Sequence, residues 1–106
     1  MRGGMNMHEI MRQAQQMQKK IAEVQEALAQ RTFTANAGGG MITATVNGRQ
    51  EVVSIVIEKQ VIDPNEQEML QDLIAAAVNA ALKISQETVN AEMAKITGGM
   101  GIPGMF

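Results

Sequence analysis

The sequence has no cysteine, tryptophan or tyrosine, and only two phenylalanines and two prolines in 106 residues. Without cysteine there are no disulfides, thiolate nucleophiles or cysteine-ligated zinc, which fits a reducing compartment. Without large aromatics, the 45% of hydrophobic residues is mostly small or flexible, ten of them methionine, so each buries little area. A chain of this length can hide only about 65% of its unfolded surface. One domain is expected, with stability drawn partly from a second copy. No run approaches the ~20 apolar residues of a membrane span, and "MRGGMNMHEIM" has no continuous apolar core of a secretion signal. A soluble intracellular protein is expected, with no membrane partner.

Nine cations against eleven carboxylates give a net charge of −2. That balance is unusual for a nucleic-acid binder. The distribution is uneven. Met1 to Lys20 carries Arg2, Arg12, Lys19 and Lys20 against Glu9 alone, whereas Asp63 to Thr97 sets Lys83 and Lys95 against six carboxylates.

Asn6 and Glu9 have the spacing of a capping box, which predicts a helix over residues 7–30. Its apolar positions Met7, Ile10, Ala14, Met17, Ile21, Val24 and Leu28 step by three and four, a seam expected to pack on another helix or a sheet. The opposite face carries His8, Arg12, Gln15, Gln16, Lys19 and Gln30. It is either a solvated face or, through Arg12, Lys19 and Lys20 with Arg2 on an arm, a set of phosphate contacts.

Residues 32–58 predict a three-stranded antiparallel sheet. Asn47-Gly48 between β-rich runs suggests a two-residue hairpin loop, because both central residues of a type I′ turn need positive φ. Val46 is then expected to face Arg49, Ala44 to face Glu51 and Ile42 to face Val53. Ile42, Ala44, Val46, Val53, Ile55 and Ile57 would share the face toward the helices, leaving Thr43, Thr45, Gln50, Val52 and Ser54 on the other. Gly38, Gly39 and Gly40 form the preceding turn after a short strand, "RTFTA". They do not make a phosphate-cradling loop, since no Lys-Ser/Thr and no helix follows.

Asp63 as N-cap, Pro64 at the first helical position and Glu66 predict a second helix over 64–97. About 33 residues would span roughly 50 Å, more than a three-stranded sheet can cover. Its first half is apolar nearly all round, with Leu70, Leu73 and Ala77 as core candidates beside Ile42, Val46, Val53, Ile55 and Ile57. Burial on several sides again calls for a second chain. "GGMGIPGMF", residues 98–106, is expected to be a flexible tail.

No catalytic, cofactor or metal site is expected: His8 has no second imidazole near it, and Ser54 and Ser85 have no partner at a motif spacing. Glu66 and Glu68 suit a helix first turn. What remains is a surface for interaction, with no small-molecule substrate.

Three stretches in order carry a resemblance over essentially the whole chain: Arg12-Gln13-Ala14-Gln15-Gln16-Met17-Gln18, Val46-Asn47-Gly48, and Leu70 to Ala81. The sequence resembles the YbaB/EbfC family of bacterial nucleoid-associated proteins. The resemblance implies an α+β fold with α-β-β-β-α order, a homodimer with a tweezer-like body, and binding of double-stranded DNA in the cytoplasm at the nucleoid. It transfers no catalytic residue and no individual DNA contact. Two alternatives use the same helix–hairpin–helix order: a prefoldin-like holdase, disfavoured because the first helix is visibly shorter, and a dimer whose acidic second helix meets another protein.

Overall fold

Asn6 opens the first helix in extended backbone, its side-chain oxygen accepting from the Glu9 N–H at 2.7 Å. The reciprocal half of the capping box is not made: Glu9 Oε2 instead takes the Arg12 guanidinium at 2.9 Å. The computed structural model describes residues 6–97; Arg2 and the 98–106 tail lie outside them. Helix α1 is Met7–Gln30, followed by strands β1 (Thr32–Ala37), β2 (Ile42–Asn47) and β3 (Val52–Ile57), two 3₁₀ turns at Lys59–Val61 and Pro64–Glu66, and helix α2 (Gln67–Thr97). Asp63 caps the second 3₁₀ turn through the Asn65 N–H at 3.0 Å, so the first turn after Pro64 is 3₁₀ and the α-helix proper starts at Gln67.

The strands form one antiparallel sheet in the order β1-β2-β3. Between β1 and β2 the glycines have φ of +65°, +69° and +98°, which is why three stand together: the left-handed backbone excludes most side chains. The β2–β3 hairpin differs from expectation. Its loop spans Gly48, Arg49 and Gln50, and the left-handed residue is Gln50 (φ 66°), with the Asn47 N–H bonded to Glu51 O at 3.0 Å. The Asn47 side chain explains the longer loop: its oxygen accepts from the Arg49 and Glu51 N–H groups at 2.9 and 3.1 Å while its amide donates to the Glu51 carboxylate. Asn47 thus organises the turn from the strand end instead of occupying its centre.

The register shifts accordingly. Ile42 faces Ile57, Ala44 faces Ile55, and after a bulge Val46 faces Val52. Ile57, Ile55 and Val52 thus stand where Val53, Glu51 and Arg49 were expected, and Val53 is the extra residue of the bulge. Phe33, Ile42, Ala44 and Val46 are buried against Ala77 and Ala81 of α2, with Val61 closing the end and Leu70, Leu73 and Ile57 half-buried around them. Three alanines at the centre let helix and sheet approach closely, and Thr34 and Thr45 pair on the opposite face at 3.2 Å.

α2 lies across β1 and β2, and among the described residues no element covers the β3 edge. Val52, Val53, Ile55 and Val56 are all exposed, so Val53 and Ile55 add nothing to the core of the single chain. The apolar seam of α1 also finds less to pack on than expected. Only Leu28 is buried, Met17, Ile21 and Val24 are half-buried, and Met7, Ile10 and Ala14 stand in the open. α1 runs away from the sheet, so the outer part of its seam has no strand to pack on. The extents are 77 × 24 × 16 Å and the radius of gyration is 20.9 Å, against about 13 Å for a compact chain of this size.

Candidate nucleic-acid interface

The two helices leave the sheet as an arm. They run antiparallel, because α1 enters β1 at Arg31 while α2 crosses the sheet first and reaches the arm last. One groove between them is lined by Gln13, Gln16, Met17 and Lys20 of α1 and by Lys95 and Ile96 of α2. A second, near the sheet, is lined by Ala22, Gln25 and Leu28 of α1, Gly48 and Arg49 of the hairpin, and Val89 of α2.

The three described candidates do not form one cluster. At 100° per residue Arg12 and Lys19 project from the face opposite the seam, 20° apart, whereas Lys20 is turned about 100° from Lys19 toward the groove. Arg12 is 62% exposed and tied to Glu9. An exposed pair of this kind is worth little, so the guanidinium is available to a stronger anion. Among the described residues, Lys19 and Lys20 make no ion pair. Arg12 also borders a shallow hollow with His8, Met11 and Gln15.

Sequence reasoning passed over three further cations as candidate contacts, one on the arm and two at its root. Lys95 lines the same groove as Lys20 and is bonded to Glu92 at 3.1 Å. Arg49 reaches Glu26 at 3.5 Å, and Arg31 lies over the Phe33 ring at 5.2 Å from its centroid. Lys95 sits within an acidic helix, and only the antiparallel pairing of the helices brings it to the basic end. The arm's tip is therefore cationic on two sides: Arg12, Lys19, Lys20 and Lys95 stand there against Glu9 and Glu92. Such a surface can hold phosphate oxygens through charge-assisted hydrogen bonds, with glutamines as further donors. Among the described residues, no group of three or more His, Asp or Glu side chains is placed to hold a metal ion, and no helix is long and apolar enough to cross a membrane.

Comparison with known proteins agrees with this architecture. The fold matches the crystal structure of an uncharacterized protein from Helicobacter pylori with a TM-score of 0.74, at 22% identity, over 88% of this chain and 98% of that one. Relatives of higher identity are named nucleoid-associated proteins. One from Thermoanaerobacter pseudethanolicus is 53% identical, covering 98% of this chain and 94% of its own length. Another from Clostridium novyi is 52% identical, covering 100% and 93%. The profile of the YbaB/EbfC DNA-binding family matches residues 2–100, arm and sheet together. The family profile spans both the arm and the sheet, and the chain belongs to the YbaB/EbfC DNA-binding family.

Proposed function

We propose that this protein is a nucleoid-associated homodimer that grips double-stranded DNA mainly through phosphates and so helps organise the bacterial chromosome or regulate its expression in the cytoplasm. The observation that carries the proposal is the match to a DNA-binding family over residues 2–100. The geometry supports the finer points. β3 is an edge strand apolar on both sides, a surface that soluble proteins cover. A second copy related by a two-fold axis covers it with the same strand and presents the arm twice. Two cationic tips held apart by a rigid body suit backbone contacts to neighbouring DNA segments and need no base readout.

No catalytic step, cofactor or small-molecule substrate enters this function; positioned charge does the work. Arg12, Lys19 and Lys20 are the proposed contacts, with Arg2 beside them in the chain. The test is fluorescence anisotropy of a labelled duplex across a salt series, with light scattering on the free protein. Dimer mass and a steep log–log fall of affinity with salt are expected, at about −0.9 per phosphate neutralised. Affinity indifferent to salt would remove the phosphate grip.

A further inference from the structure

The hairpin turn between β2 and β3 touches both helices of the arm at its root. Gly48 lies flat against the end of α1: a Cβ built on it would stand 1.9 Å from Leu28 O and 2.6 Å from Leu28 C. Those are backbone atoms, which cannot swing aside as a side chain can. The next residue, Arg49, reaches Glu26 on α1 at 3.5 Å. On the other side Ser85 of α2 is wholly buried. Its hydroxyl donates to Asn47 O at 2.9 Å and accepts from Gln50 Nε2 at 2.8 Å.

Gln50 is the only non-glycine residue with positive φ among those described. Glycine would take that backbone more comfortably, yet a glycine could not reach Ser85. Elsewhere α1 is held loosely, with Leu28 its one buried residue.

We infer that the Asn47–Gln50 turn is the wedge that sets the angle of the helical arm to the sheet, and that Gly48, Gln50 and Ser85 are positioning residues for the DNA grip. This rests on the DNA-binding reading above. From Leu28 to Arg12 the helix is about 24 Å long at 1.5 Å per residue. A 10° change at the root moves the tip about 4 Å, more than the roughly 3.4 Å of helix axis that separates successive phosphates of one strand. Residues that touch no DNA thereby decide whether the two tips of a dimer meet the backbone together.

The chain has no cysteine, so a spin-label pair at Gln15→Cys and Asn36→Cys reports the arm-to-sheet distance directly. Dilution with unlabelled protein isolates the distance within one chain. A single narrow distance is expected in the parent, and a shifted or broadened one in Gly48→Ala, Ser85→Ala and Gln50→Gly. Gln50→Gly relieves the backbone while losing the contact to Ser85, so its melting temperature stays near the parent's while its duplex affinity falls several-fold. This separates positioning from stability, and it serves if Gly48→Ala fails to fold. Unchanged distances in Ser85→Ala and Gln50→Gly overturn the wedge, as do altered distances with undiminished DNA affinity. A parent that binds no duplex yet keeps a narrow distance that the substitutions broaden refutes the DNA reading, and with it the positioning role, while leaving the joint in place.

Discussion

Aspartate at both Val53 and Val56 should abolish self-association. Each valine is 56% exposed in the single chain. A fully buried valine is worth about 2 kcal/mol, so covering what remains gains roughly 1 kcal/mol per side chain. Two-fold symmetry counts every substitution twice, and four valines lose about 4 kcal/mol, near a thousandfold in the dimer dissociation constant. This is a lower bound. Each aspartate must also shed water on entering an apolar contact, and charge on an edge strand discourages strand pairing. Because neither valine is buried within its own chain, the monomer should keep its helical circular dichroism. Light scattering behind a sizing column at micromolar concentration checks the mass, with Asn36→Asp on the opposite sheet edge as a control expected to change nothing. A V53D/V56D protein that keeps the parent's mass in solution refutes the proposed role of β3.

Three further outcomes follow from the same geometry. Removing Arg12, Lys19 and Lys20 together takes six cations from a dimer, so the salt dependence of duplex binding should flatten by up to about 5 log–log units; an unchanged slope in anisotropy titrations places the contacts elsewhere. Gly39 has φ +69° with nothing within 4 Å of a built Cβ, so only backbone strain opposes substitution. Gly39→Asn should cost under about 1 kcal/mol and Gly39→Val about 2 kcal/mol in urea unfolding, since asparagine tolerates the left-handed region and a β-branched chain does not. Leu28→Ala, at the one buried position of α1, should cost about 2–3 kcal/mol by the same measurement.

Where a structural signal is local, it could be read directly. Asn6 caps α1 and Asp63 caps the turn before α2 because each needs only a backbone N–H two or three residues on. The α+β order was legible for the same reason. The hairpin shows where local reading stops. Asn47-Gly48 marks a turn correctly, but an asparagine can either occupy the centre of a tight loop or fold its side chain over the residues that follow. Here it does the second, and the loop lengthens by one residue. With that longer loop and the bulge after it, Val46 faces Val52 where Arg49 was expected, and Ile42 faces Ile57 where Val53 was expected. Periodicity has a different limit. The seam of α1 was evident from Met7 to Leu28, yet a stripe records which face is apolar and not how far its partner extends. Lys95 and Ile96 of α2 line a groove with Met17, and Ala14, Ile10 and Met7 farther out along the seam are exposed.

The candidate interface was legible as charge and illegible as arrangement. Arg12, Lys19 and Lys20 are plain in the sequence, but consecutive lysines on a helix diverge by about 100°, so adjacency in the chain separates them in space. Lys95 shows the reverse: distant in sequence and set among carboxylates, it lines one groove with Lys20 because the helices run antiparallel. Ser85 could have been noticed. It continues the ladder Ala77, Ala81, Ser85 at steps of four along the buried face of α2, and a hydroxyl at such a position requires a partner on whatever lies opposite. Its partners are Asn47 O and Gln50, residues of the one turn that also abuts α1. A polar residue on an otherwise apolar helix face thus marks the joint that orients the arm, and with it the cations that the arm carries toward the phosphate backbone.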